Sequence, residues 1–179
     1  MWQVMRWPLL VVGTAYIALI IYRIPAVGEK QKTAEAVAYI RAQKITLDDV
    51  EATNLPPAPD PLKNNATVAG IDANHNGIRD DVELAIFKEY PNSPKIRAAE
   101  LQYALTEQMF LTKVYNAGTW KAVAEEAARA QLCIIDTKAN RKEVENLIFN
   151  TQSRNDAREK AYQFTTSYGP ASGEPCDIL

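Results

Sequence analysis

The chain has 179 residues, of which 47% are hydrophobic and 23% are charged, and its formal net charge is −2. This size and composition predict one globular domain with additional segments, and the lack of any basic stripe argues against a nucleic-acid partner. Two cysteines and one histidine are too few for a zinc site or for histidine-based nucleophilic catalysis.

The N-terminal segment has the features of a membrane anchor. Sixteen residues from Trp7 to Tyr22 carry no charge and are flanked by Arg6 and Arg23. As a helix they span about 24 Å, and arginine side chains that snorkel at both ends extend this toward a hydrocarbon core of roughly 30 Å. The run is apolar on all sides, unlike an amphipathic core helix. We therefore predict a membrane-inserting segment over residues 1–27.

The residues that follow this segment indicate whether it is cleaved and how it is oriented in the membrane. Residues 24–26, Ile-Pro-Ala, form a poor signal-peptidase site because proline lies beside the scissile bond, which favours a retained anchor over a cleaved signal peptide. Arg23, Lys30 and Lys32 follow the segment, and counting positive charges favours a cytoplasmic C-terminal side. The features of the C-terminal part described below instead favour a space outside the cytoplasm. We predict a single-pass protein whose C-terminal domain is periplasmic or extracellular.

Three further regions follow the anchor. Residues 28–53 are predicted to be a juxtamembrane helical segment, because Ala, Glu, Lys and Gln dominate its first part and Thr46 with Asp49 forms a capping pair. Residues 54–65 contain four prolines, which exclude a helix and predict a stiff, extended linker. The soluble domain is predicted over residues 66–179.

The predicted domain is entirely helical. Its long segments have helical periodicity, and no window alternates as a strand does. The predicted start signals are Asp81 for the first helix, Ser93-Pro94 for the second, Thr119 for the third, Asn140 with Glu143 for the fourth and Ser153 with Asp156 for the last. We predict an all-α fold in which about five short helices follow the loop described next.

One twelve-residue segment, Asp72 to Glu83, fits the calcium-loop pattern D-x-[DN]-x-[DN]-G-x5-E at every position. Calcium takes about six to eight oxygen ligands, and residues at alternate positions of a curled loop can turn oxygens toward one centre. Gly77 allows the sharp bend with a positive φ. The predicted Ca²⁺ ligands are the side chains of Asp72, Asn74, Asn76, Asp80 and Glu83 and the carbonyl of Ile78.

This loop resembles an EF-hand, although Arg79 stands where EF-hands usually have a large apolar residue. The order Gly77-Ile78-x-Asp80 is more similar to the calcium loops of thrombospondin type 3 repeats. The entering helix of a full EF-hand is missing, because residues 65–70 have no helical pattern. A loop of this kind that leads into a small helical domain is also similar to uncharacterised secreted or membrane-anchored bacterial proteins. That resemblance implies a location and not an activity.

A simple helix cap is the alternative interpretation of the loop. It would account for Asp80 and Glu83 at the start of a helix, but not for the alternation of Asp72, Asn74 and Asn76 before a glycine. Two of the first three ligands, Asn74 and Asn76, are neutral and Arg79 lies within the loop, so the charge density is low. We therefore expect a dissociation constant in the weak, extracellular range of roughly 0.1 to 1 mM.

Cys133 and Cys176 are predicted to form one disulfide, because a non-cytoplasmic chain with two cysteines is most simply bridged. Taken together, these features predict a membrane-anchored, non-enzymatic module in which calcium is structural. Its expected role is interaction or assembly with an envelope or extracellular protein. The alternatives are an envelope hydrolase with an unrecognised carboxylate site and a subunit of a larger membrane assembly. A pocket with convergent carboxylates would favour the enzyme.

Overall fold

The computed structural model describes residues 2–169 and 173–178, without the side chains of residues 2–10, 21 and 24–26. Regular secondary structure in this described part is helical throughout, which confirms the all-α prediction. The helices are α1 (Trp2–Ala42), α2 (Leu47–Val50), α3 (Pro61–Asn65), α4 (Asp80–Glu89), α5 (Pro94–Thr112), α6 (Ala117–Thr137), α7 (Arg141–Ile148) and α8 (Gln152–Tyr162). The chain divides into two compact units, residues 1–36 and residues 37–179.

The first unit is the N-terminal part of α1. Many of its described apolar side chains are exposed, and Val11, Val12 and Ile17 are each more than half exposed. Within the residues searched, which are the described ones, no helix meets the length and hydropathy needed to cross a membrane. The predicted anchor, residues 1–27, falls partly on residues whose side chains lie outside the description.

The second unit is built around α5. Every residue from Arg97 to Phe110 is buried, so this helix is enclosed on all sides. Helices α4, α6, α7 and α8 pack on it, and α2 contacts it as well. The core that results includes Ile78 at the end of the predicted calcium loop and Val82 and Ile86 on α4. The loop is thereby held against the buried core of the domain.

The predicted helix starts are correct in part. Asn140 caps α7 by accepting from the backbone N–H of Glu143, as predicted. The cap of α6 is Asn116 and not Thr119, because Asn116 accepts from the Thr119 N–H while the Thr119 hydroxyl returns a bond to the cap backbone. The cap of α8 is Thr151 and not Ser153, since the Thr151 side chain accepts from the N–H of Arg154. Each helix therefore begins upstream of its predicted start. In each case the cap side chain binds the backbone N–H three residues further along the chain.

The boundary of the compact domain and the linker also differ from the prediction. The second unit begins at Val37, not at residue 66, and Ile40, Ile45 and Val50 are buried in its core. The predicted extended linker, residues 54–65, contains the one-turn helix α3. Asp60 caps this helix by accepting from the N–H of Lys63, and a proline at the first helical position is compatible with a helix start.

The predicted disulfide between Cys133 and Cys176 is present, with the two Cα atoms 5.0 Å apart. It ties the C-terminal tail to α6. Asp177 then accepts from Arg129 Nη2 at 2.8 Å and from the backbone N–H of Ile45 at 3.2 Å. The tail therefore joins α6 to the segment that follows α1.

Candidate metal centre

The predicted calcium loop is curled by hydrogen bonds from its own side chains. Asp72 Oδ2 accepts from the backbone N–H of Gly77 at 3.0 Å, and Asn76 Oδ1 accepts from that of Ile78 at 2.9 Å. Gly77 has a φ of +88°, the left-handed conformation that the pattern requires of it. The polar side chains of the first half of the loop are thus drawn to its inner side.

The second half of the loop returns two carboxylates to the same place. Asp80 and Glu83 lie in the first turn of α4, and both are fully buried. Glu83 Oε2 accepts from the side-chain amides of Asn74 at 3.1 Å and Asn76 at 3.2 Å. Asp80 Oδ1 accepts from the backbone N–H of Ala73 at 2.9 Å. The structure therefore brings the beginning and the end of the predicted site together.

Burial makes these carboxylates poorly stabilised as anions. Desolvation raises the pKa of Glu83 to about 7, although the two asparagine amides act in the opposite direction. Desolvation also raises the pKa of Asp80, and the charge of Asp72 adds to the rise. Among the described residues no lysine, arginine or histidine forms an ion pair with Asp72, Asp80 or Glu83.

Within the part of the chain that the structure describes, two oxygen atoms at this centre have no hydrogen-bond partner. They are Asp72 Oδ1 and Asp80 Oδ2, and both are buried. A buried carboxylate oxygen without a donor costs free energy that a bound cation would offset. The donor set therefore fits a hard cation such as calcium, which prefers oxygen ligands.

The ligand set depends on amides and a carbonyl as well as carboxylates. No group of three or more His, Cys, Asp or Glu side chains in the described part of the chain is arranged to hold a metal ion. The amide nitrogens of Asn74 and Asn76, and not their oxygens, face Glu83. These amides supply partial positive charge beside Glu83, the role that a cation would take.

Arg79 lies in the loop by sequence, and its guanidinium is bound by Asp81 and by backbone carbonyls of α7. The side chain is fully buried, forms an ion pair with Asp81 and donates from Nη1 to the carbonyl of Ile148 on α7 at 3.2 Å. The positive charge of Arg79 is thus partly compensated by Asp81. Arg79 therefore opposes a bound cation less than the sequence alone suggested. The side chain of His75, which is not among the predicted ligands, is exposed.

Two residues upstream of the loop contact the predicted ligands and were not predicted to do so. Asp49 Oδ1 lies 3.4 Å from Asn76 Nδ2, and the backbone carbonyl of Asn54 accepts from Asn74 Nδ2 at 2.8 Å. The sequence identifies Asp49 only as a capping partner, because 27 residues separate it from Asn76.

In the described part of the chain, none of three cavities is lined by more than one carboxylate. Among the described residues, one cavity beside the loop is lined by Asp72, a second near the end of α8 is lined by Glu159, and a third on α1 has no carboxylate. Glu107 on α5 is buried, and its Oε2 has no hydrogen-bond partner. Burial raises the pKa of Glu107 to about 7.

Comparison with protein-family models, with curated proteins and with solved structures gives no match for this chain. The resemblance to EF-hand and thrombospondin type 3 loops therefore rests on the sequence pattern from Asp72 to Glu83 alone.

Proposed function

We propose that the protein binds one calcium ion in the loop from Asp72 to Glu83 and that this ion stabilises its helical domain. The observation that supports this most strongly is the pair of buried oxygens, Asp72 Oδ1 and Asp80 Oδ2, that have no donor. The fully buried carboxylate of Glu83 lies at the same centre without a basic partner in the described part of the chain. A divalent cation bound near these groups would compensate part of their negative charge.

A calcium ion at this position would have a structural role. Glu83 lies in the first turn of α4, and the core residue Ile78 precedes it in the loop. Coordination would fix the start of α4 to the chain that enters the loop. Because α4 packs on the enclosed helix α5, the ion would stabilise the domain as a whole.

The proposed location is the membrane, with the helical domain outside the cytoplasm. The apolar run from Trp7 to Tyr22 supports a membrane anchor, and the calcium loop and the disulfide support a periplasmic or extracellular domain. A tethered helical module with a structural ion would act by binding or assembling with another envelope or extracellular protein. Pull-down from membranes with and without calcium would identify that partner.

Differential scanning calorimetry of the full chain tests the calcium proposal. With about 1 mM calcium and a dissociation constant near 0.1 mM, linkage predicts a gain of roughly 1.4 kcal/mol over the protein in chelator. For a domain of this size that raises the melting temperature by about 3 to 6 °C. Equal melting temperatures in calcium and in chelator would contradict the proposal.

A further inference from the structure

A cavity of about 170 Å³ lies between the C-terminal end of α1, the beginning of the loop and α5. Its polar lining comes from all three of these elements and includes Tyr39, Asp72, Gln108 and Lys113. An engineered protein cavity of roughly 150 Å³ holds benzene, so this cavity has room for a ligand of about six to ten non-hydrogen atoms. It is too small for a nucleotide or a peptide chain.

Gln108 lines this cavity and has an amide that the protein satisfies at one end only. Its side chain is 5% exposed, and Nε2 donates to the carbonyl of Ala69 at 2.7 Å. Its Oε1 has no hydrogen-bond partner in the described part of the chain. Gln102 on the same helix is also buried, but its Nε2 donates to the carbonyl of Pro175 and its Oε1 accepts from the N–H of Asp177. Gln102 thus satisfies both ends of its amide, whereas Gln108 leaves an acceptor for a donor from elsewhere.

Asp72 adds a second acceptor to the same cavity. Its Oδ2 accepts from the N–H of Gly77, but its Oδ1 has no partner among the described residues. The cavity therefore combines a neutral and an anionic oxygen, each without a donor. A ligand that satisfies both must donate hydrogen bonds, and the carboxylate favours a donor with a positive charge.

Lys113 gives the cavity a group of the opposite charge. Its Nζ lies 4.7 Å from the centroid of the Tyr39 ring, a cation–π contact that holds the ammonium group beside the cavity. No acidic side chain forms an ion pair with Lys113 in the part of the chain that the structure describes. Lys113 directly follows α5 and is about 7.5 Å further along the helix axis than Gln108. The unpaired cation is thus separated from the free acceptors.

We infer that this cavity binds a small zwitterion of the α-amino acid class, with its ammonium group on Gln108 and Asp72 and its carboxylate on Lys113. The two charges of such a ligand are attached to one carbon atom, which suits a cavity of this volume. Its apolar side chain contacts Leu105 and Met109, which also line the cavity. The inference does not depend on the calcium proposal, because neither Gln108 nor Lys113 is a proposed calcium ligand.

Calorimetric titration of the full chain with L-valine tests the inference. The titration is carried out in chelator, so that Asp72 is not shared with calcium. We expect a dissociation constant below about 1 mM. Isobutylamine lacks the carboxylate of L-valine and isovalerate lacks its ammonium group, and each should bind at least about tenfold more weakly, because each leaves one charged partner unmatched.

Two variants, each with a matched control on α5, assign the binding to this cavity. Gln108→Met removes the free acceptor, and Lys113→Met removes the cation; each should weaken L-valine binding about tenfold. Gln102→Met, at a buried position outside the cavity lining, should change the affinity less than twofold. The same holds for Lys95→Met, which removes an exposed lysine. Lys113 is only partly buried, so its variant keeps the test valid if Gln108→Met does not fold.

Three results would overturn the inference. The first is no binding of L-valine at about 10 mM, and the second is equal binding of L-valine and isobutylamine. The third is an affinity for L-valine that Lys113→Met leaves unchanged or that Lys95→Met lowers to the same extent, because the ligand would then be bound elsewhere.

Discussion

The side-chain amide of Asn76 donates to Glu83 Oε2 across 3.2 Å, so the fifth and twelfth positions of the loop are in direct contact. This contact closes the loop over the start of α4. It also places a neutral donor where the calcium proposal puts a cation. The first prediction therefore tests whether a calcium ion replaces the Asn76 amide as the partner of Glu83.

Glu83→Gln should remove most of the stabilisation by calcium, because it deletes the charge of the last ligand in the loop. We expect the gain of roughly 1.4 kcal/mol in about 1 mM calcium to fall below about 0.5 kcal/mol. Calorimetry in calcium and in chelator measures the difference. Glu89→Gln, at an exposed position of the same helix, is the matched control and should keep the full gain. An unchanged calcium gain in Glu83→Gln would show that the ion is bound elsewhere.

Glu107→Gln should stabilise the protein at pH 8 but not at pH 4.5. The pKa of Glu107 is raised from 4.5 to about 7 in the folded protein, so the folded state binds more protons than the unfolded state between these values. Stability from this group is therefore present at low pH and is lost as the pH rises through about 7. Glutamine removes that loss, which amounts to about 3 kcal/mol at most.

Denaturant unfolding of both proteins in chelator, measured at several pH values, checks the prediction for Glu107. The difference between wild type and variant isolates this group from Glu83 and Glu100, whose pKa values are raised to about 7 as well. A difference that does not change between pH 4.5 and pH 8 would contradict the assignment.

Cys176→Ser should destabilise the domain by roughly 4 kcal/mol, because the disulfide closes a long loop in the unfolded chain. Urea unfolding of the variant measures this loss, and reduction of the wild type should reproduce it. Mass spectrometry of protein alkylated without reductant should find no labelled thiol. Two labelled thiols in protein from its native compartment would count against an oxidising location.

Gly70→Ala should destabilise the domain by about 2 kcal/mol or more. Gly70 has a φ of +72°, and an added Cβ would lie 2.2 Å from the Cδ atom of the buried Arg79. A positive φ is costly for alanine, and the buried arginine has little freedom to move. Gly169→Ala, where no atom lies within 4 Å of the added Cβ, should change the free energy of unfolding by less than about 0.5 kcal/mol. Equal losses in the two variants would refute the steric explanation.

A reporter enzyme fused after Leu179 should be active outside the cytoplasm, with the N-terminal segment retained. The prediction follows from the apolar run up to Tyr22 and from the poor cleavage site that follows it. Two fusions check it, one to a reporter that requires an oxidising compartment and one to a reporter that folds only in the cytoplasm. Activity of the second alone would reverse the orientation.

The sequence by itself determined the features that depend on near neighbours. The pattern from Asp72 to Glu83 predicted which side chains meet, and the structure brings Asn74, Asn76 and Glu83 together. Caps such as Asn140 were predictable because a cap and its partner are three residues apart. The disulfide was predictable because the chain has only two cysteines, so Cys176 was the single possible partner of Cys133 within the chain.

Only the tertiary structure decided relationships between distant segments. It directed the guanidinium of Arg79 to the carbonyl of Ile148, placed Asp49 beside Asn76, and extended the compact unit back to Val37. No local pattern encodes these contacts, because each depends on how several helices pack around the enclosed α5. Packing sets the distance between segments far apart in the chain, whereas hydrogen bonding within one turn sets the distances that a pattern can predict.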